Sequence, residues 1–485
     1  MRPMEGTGMA GVKQGEPWRL SAMALSAAFT EGTLDPPSAL ASILARHGEV
    51  NPQLNATVLV DARRAEADAT ASALRWKAGQ PLSPLDGVPV TVKDNIPVGG
   101  LRATWGSRLF ADHVPAEDEI AVARLRAAGA VIWAKTNTPE LAMAGITDNA
   151  IFGATRNPWD LGRTPGGSSG GGAAAVAAGA GPLALVTDAA GSIRRPACYC
   201  GLVGIRSSTG RVARLPGVED SAFPPLAADF QVIGPLARTV ADALLLLRVI
   251  AGPDPRDRSS QGLPPLAEAG TARRRILLIP AIPGHPCDAA ERQAAEAAGG
   301  ALSRLGHAVE TGAAPWDPEE MNRLFAIVCA AGVARVVRGH ADWAARVTPI
   351  IRGLAEAGLA QSATDYLDAL DRIAARRAKA AIAFREFDAV LSPASATLPW
   401  PLGTPFPATI DGQPAGPRAG GVFSVFVNLL GLPAVALPGP LSAEGLPAGL
   451  QLAGGYGTDS VVIGLAAELE AALWPDGPPR PPAFA

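Results

Sequence analysis

The sequence predicts an α/β/α sandwich, a mixed central β-sheet flanked by helices on both faces. Between about residues 87 and 250, short apolar runs alternate with helix-forming runs, the pattern of a sheet covered on two sides. Hydrophobic residues make up 48% of the 485-residue chain and charged residues 18%, so there is apolar material for a large core and no sign of a disordered chain. The 54 glycines and 45 prolines are spread throughout, marking many tight connections and no single linker.

The elements follow in order. Residues 1–17 are Gly-rich with scattered charge, an expected flexible head without the apolar stretch of a signal peptide. A single domain is expected over 18–485. Amphipathic spacing predicts helical structure over 21–47 and 59–77. Strands are expected at 88–92, 131–134 and 183–187, with a helix at 120–128. Thr239, three residues ahead of Asp242, opens a helix through Ile250 in the manner of a capping box, and Gly252 stops it. Farther on, strands are expected at 276–279, 389–391, 435–437 and 449–453, and helices at 289–305, 364–384 and 460–473. Residues 254–385 form an expected helical subdomain on the sheet.

Bulk properties exclude several functions. A formal net charge of -3, from 42 basic and 45 acidic residues dispersed along the chain, gives no footprint for nucleic acid or an anionic membrane. The longest apolar stretch, 173–186, is mostly Ala and Gly with Pro182 inside, too short and weakly apolar to span a bilayer. Cys198, Cys200, Cys287 and Cys329 are too few for a disulfide scaffold, and no pair has zinc-site spacing. Cys198 and Cys200 read as small buried residues, and a reducing cytoplasm fits best.

Three segments carry chemistry. Pro165 to Gly172 is a glycine-rich turn running into an alanine-rich helix former, which sets Ser168 and Ser169 just before a helix N-terminus. A flexible linker would not continue into helix and strand, and a phosphate loop would need a closing Gly-Lys-Ser/Thr. After the strand ending at Thr187, small residues lead to Ser192, where the amides of Ala189, Ala190, Gly191 and Ser192 can converge as an oxyanion hole. Lys93 ends an apolar strand. It is either a solvated end residue or, if burial depresses its pKa, a base. None of His47, His113, His285, His307 and His340 lies in these segments, and no G-x-S-x-G elbow surrounds Ser192, which disfavours a Ser-His-Asp hydrolase.

Taken together, these segments resemble the amidase signature family. GGSSGGGAAAVAAG followed by PLALVTDAAGSIRRPACYCGLVGIRSSTGRV, within 166–212, carries the hallmark, and GVPVTVKDN, ATWGS, AKTNTPE, GATRNPW, NLLGLP and GLPAGLQ support it over about 18–475. The resemblance implies a serine-serine-lysine triad with Ser192 as nucleophile, Ser168 as bridging serine after a cis peptide bond, and Lys93 as base. It also places Ala142 and Ser169 beside the substrate. It implies a small-molecule amide as partner and no metal or cofactor, and it leaves a homodimer open. An amidase acting through an acyl-enzyme is the expected function. The glutaminase subunit of a tRNA-dependent amidotransferase and a catalytically silent scaffold of the same fold are the alternatives.

Some positions depart from the family pattern. Gly172 stands where a third serine is usual, Ala189 and Ala190 where Thr or Ser and then Gly are usual, and Arg206-Ser-Ser208 where Lys-Pro-Thr is typical. If position 190 needed a positive φ, alanine there would cost roughly 1 kcal/mol or more. Arg194 occupies the family's usual arginine and reads as structural. Arg195 has two readings, a salt bridge to a protein acid or recognition of a substrate carboxylate by the guanidinium fork.

Overall fold

Leu183 to Asp188 is buried along its whole length, as are Pro89 to Lys93 and Val131 to Thr136. Runs apolar on both sides belong in the middle of a covered sheet. The computed structural model describes residues 16–215, 229–267, 270 and 272–484. Of the expected flexible head, only Glu16 and Pro17 fall among them.

The strands are β1 (Thr57–Val60), β2 (Pro89–Lys93), β3 (Val131–Thr136), β4 (Leu183–Asp188), β5 (Val203–Arg206), β6 (Val232–Ala237), β7 (Arg275–Leu278), β8 (Ala308–Thr311), β9 (Ala389–Pro393), β10 (Thr409–Ile410), β11 (Gln413–Pro414), β12 (Ala434–Leu441) and β13 (Pro447–Gly454). Eleven of them form one sheet in the order β1-β3-β2-β4-β6-β5-β12-β13-β9-β7-β8, and β10 with β11 makes a separate small hairpin. β2 runs parallel to β3 and β4, and β7 to β8 and β9, while the other pairs in the sheet are antiparallel.

Strand periodicity divides the core. Leu183 and Leu185 join a cluster with Val122 and Leu125 of helix Ile120–Ala127, Leu246 of helix Val240–Ile250 and Val462 of helix Asp459–Leu473. Ala184 and Val186, pointing the other way, pack with Ala173 and Val176 of helix Gly170–Ala177 and with Ile193 and Ala197. β2, β3 and β4 are parallel and end together at one carboxyl edge, the usual position for a ligand site in α/β sheets.

Several expectations need correction. The helical stretch 21–47 is two helices, Ala22–Glu31 and Pro36–Leu54, capped by the side chains of Ser21 and Asp35 and separated at Gly32, whose φ of 67° suits glycine. The stretch 59–77 begins as the strand β1, antiparallel to β3, and becomes a helix only at Ala62. The expected helical subdomain at 254–385 contributes β7 and β8 to the main sheet. Its purely helical part starts at helix Pro318–Val337. Among the described residues no helix is long and apolar enough to cross a membrane.

Candidate active site

β2 delivers Lys93 to the sheet's carboxyl edge with no exposed surface. Burial drives its pKa well below the ordinary lysine value, with the Asp188 charge opposing in part. Its Nζ lies 2.7 Å from Ser168 Oγ, 3.0 Å from Ser169 Oγ and 3.0 Å from Thr187 Oγ1. A neutral amine has two N–H donors and one lone pair. Ser169 Oγ donates its own proton to the Thr187 carbonyl at 3.2 Å, so it accepts from Nζ. Thr187 Oγ1, held against the Asn95 side-chain amide, takes the second N–H. The lone pair is then left for the Ser168 hydroxyl proton.

The loop presenting Ser168 is shaped by close approach. The Gly167–Ser168 peptide is cis. A Cβ at Gly167 would lie 2.2 Å from the Ile146 carbonyl oxygen, and one at Gly170 2.4 Å from Thr147 Oγ1, so these positions admit only glycine. Helix Gly170–Ala177 begins immediately after, as expected, and Gly172 lets it settle on β4, where a Cβ would stand 3.0 Å from Val186 and 3.2 Å from Ala184. This close packing is the physical counterpart of the missing third serine.

The Ser192 turn hangs on Asp188. This fully buried carboxylate accepts from the Gly191 N–H at 2.7 Å and the Ile193 N–H at 3.1 Å, and pairs with Arg194 Nε at 3.1 Å. Burial alone would raise its pKa, but Arg194, Arg206 and the Asn428 amide outweigh burial and hold the carboxyl well below the usual range. Arg194 is itself tied to Gln451 and to the Ser424 carbonyl. Replacing Asp188 by alanine strands a buried guanidinium and releases the turn. The expected cost is about 3–5 kcal/mol, read as a lower urea midpoint, and an unchanged midpoint would refute the clamp.

Each expected site residue has a definite place. Lys93, Ser168 and Ser169 meet directly. Ser192 is half-buried at the turn, and among the described residues its hydroxyl forms no hydrogen bond, so the contact between Ser168 and Ser192 is not made in this state. The two loops nonetheless adjoin, since a Cβ at Gly166 would meet Pro196 and Tyr199 of helix Arg194–Tyr199 at 3.1–3.3 Å. Of the four amides expected to form an oxyanion hole, that of Gly191 donates to Asp188, whereas those of Ala189, Ala190 and Ser192 have no protein acceptor among the described residues. Left-handed backbone falls at Gly191, with φ 96°, and not at Ala190, so alanine at 190 carries no such strain. Ser169, expected beside the substrate, is fully buried against Lys93. Ala142 is half-buried in a left-handed turn with Leu141, at φ 57° and 50°, next to a cavity of about 370 Å³ lined by Met143, Ala144 and Ile350 among others. Thr187 and Asp188 went unrecognised as site residues. A charged residue closing an apolar strand, six positions before Arg194, was the available signal.

Comparison with known proteins places these features among relatives. The Amidase family profile matches residues 38–463. The chain is 35% identical to one of the subunits of the glutamyl-tRNA(Gln) amidotransferase of Symbiobacterium thermophilum, over 92% of this chain and 95% of that protein. It is 32% identical to an acylamidase of Rhodococcus erythropolis, over 95% and 97%. The crystal structure of a bacterial aryl acylamidase superposes with a TM-score of 0.84 at 26% identity, covering 93% of this chain and 96% of that one.

Proposed function

Because the chain belongs to the amidase family and is an amidohydrolase, we propose that it cleaves the C–N bond of a carboxylic amide through an acyl-enzyme on Ser192. The observation that carries this reading is the buried amine of Lys93, 2.7 Å from Ser168 Oγ and 3.0 Å from both Ser169 Oγ and Thr187 Oγ1, which can take the two N–H groups of a neutral amine. In the proposed sequence Lys93 takes the proton of Ser168 as Ser168 takes that of Ser192, and Ser192 Oγ attacks the amide carbonyl. The amides of Ala189, Ala190 and Ser192 hold the oxyanion. Collapse expels ammonia or an amine, protonated back along the same hydroxyl path, and water then hydrolyses the ester. The four cysteines are buried and none forms a disulfide, which supports a reducing cytoplasm.

The test is covalent. A serine-directed fluorophosphonate is expected to add one equivalent to the purified protein at Ser192, with parallel loss of amide hydrolysis. Labelling elsewhere, or activity surviving full labelling, would overturn the reading, and a complete absence of labelling would favour a silent scaffold. A second reading, the glutaminase role in an amidotransferase, is favoured by the 35% identity to the Symbiobacterium thermophilum protein. It predicts glutamine hydrolysis only with partner subunits present. Hydrolysis of simple amides by the chain alone selects the first reading.

A further inference from the structure

Arg195 follows Arg194 in sequence, and the two guanidinium groups have opposite surroundings. Arg194 is saturated by Asp188, Gln451, Asn428 and the Ser424 carbonyl. Arg195 has no acid within ion-pair distance among the described residues, and none of its guanidinium nitrogens donates to a protein acceptor, although Nε is fully enclosed. The salt bridge to a protein acid is therefore not formed. A half-buried cation with no protein partner among the described residues, its Nε enclosed and its two terminal nitrogens left open, is poised to receive an anion.

The space around it is built from glycine. A Cβ at Gly145 would lie 3.0 Å from Nη1, and one at Gly421 3.6 Å from Nη2, so any side chain at the first position would crowd the fork. Trp400 closes the same slot, 3.7 Å from the Gly145 position. The slot adjoins the Ser192 turn. The Arg195 N–H donates to the Gly191 carbonyl at 2.8 Å. Ser424 Oγ, 3.8 Å from the Gly421 Cβ position, donates to the Ala190 carbonyl at 3.1 Å.

We propose that Arg195 is the specificity determinant of this site, receiving a carboxylate of the substrate, so that the preferred substrates are amides carrying a carboxylate a few bonds from the scissile carbonyl. This rests on the acyl-enzyme reading above. The guanidinium fork matches a carboxylate bidentately, and an enclosed site makes each such bond strong.

Matched anilides test it. Succinanilic acid is compared with butyranilide, and 4-acetamidobenzoate with 4-methylacetanilide, placing the charge on the acyl or the amine side. The wild-type protein is expected to favour the anionic member of at least one pair in kcat/KM. Arg195→Gln is expected to lower kcat/KM for that member about a hundredfold, with a loss at least tenfold smaller on its neutral counterpart. Arg195→Lys, which keeps the charge and loses the fork, is expected to fall between. Gly145→Ala keeps the charge but crowds Nη1, and its loss is expected to follow the anionic substrate. Equal losses on charged and neutral members, or no wild-type preference in either pair, would overturn the proposal. Activity on the neutral anilides and fluorophosphonate labelling report the acyl-enzyme reading separately.

Discussion

Replacing Ser192 by alanine is expected to lower amide turnover by on the order of 10⁴–10⁶-fold and to abolish fluorophosphonate labelling, with the fold intact. The size follows from chemistry. Without the hydroxyl there is no oxygen to acylate, and Lys93 and Ser168 would have to activate a water molecule they do not position. The residual rate comes from backbone, because the oxyanion amides of Ala189, Ala190 and residue 192 survive the substitution. Stability is expected to stay within about 0.5 kcal/mol, since Ser192 is half-buried and its hydroxyl has no hydrogen-bond partner to orphan among the described residues. That separates it from Asp188→Ala, which is expected to lose activity by unfastening the turn. The measurement is a kinetic series on a simple anilide together with a thermal midpoint. More than about 1% of wild-type turnover in the folded variant would remove Ser192 from the nucleophile's role.

How far the sequence reveals this site depends on whether the signal is local. Glycines before a helix and small residues after an apolar strand are visible in a few letters, and they mark the turns that hold Ser168 and Ser192. Pairwise surroundings are not local. That Arg195 has no acid partner among the described residues, and lies instead beside Gly145, Trp400 and Gly421 from three separate segments, is invisible in its own neighbourhood of sequence. Nor does spacing show that Ser169 lies behind Lys93, or that Asp188 takes the Gly191 N–H, since both depend on the exact rotation of the chain at the turn. In the fold the difficulty lies with short elements. β1 has four residues, and its apolar run flows into the amphipathic helix Ala62–Lys77, so the two periods cannot be separated by pattern. β5 and β6, which connect β4 to β12, carry no pattern that sets them apart in the sequence. β8 shows that a mainly helical stretch can still complete the sheet edge.

Lys93→Met is expected to cost about 10³–10⁵-fold in kcat while retaining the side chain's volume. Methionine fills the space of the butyl stem but cannot accept the Ser168 proton, and it leaves the hydroxyls of Ser168 and Ser169 without their shared nitrogen. The wild-type pH profile carries the sharper test. The neutral amine is the working form, so kcat/KM is expected to fall about tenfold per unit once pH drops below the lowered Lys93 pKa, and a flat rate from about pH 5 to 9 would contradict the role. The same shift acts on stability with a definite sign. Burial lowers the folded-state pKa, whereas the unfolded chain titrates near the ordinary value of about 10.4, so between the two values the unfolded state holds the extra proton. Stability from this residue therefore rises with pH across that window, by up to about 1.4 kcal/mol per unit, and is lowest below it. Lys135, which burial brings down to about 8 against the pull of Asp94, contributes in the same direction and is unaffected by the substitution. Subtracting the urea stabilities of Lys93→Met from those of the wild type across pH thus isolates Lys93. A difference that does not vary with pH would mean that the amine is charged in the folded protein, and a charged amine has no lone pair with which to accept a proton from Ser168.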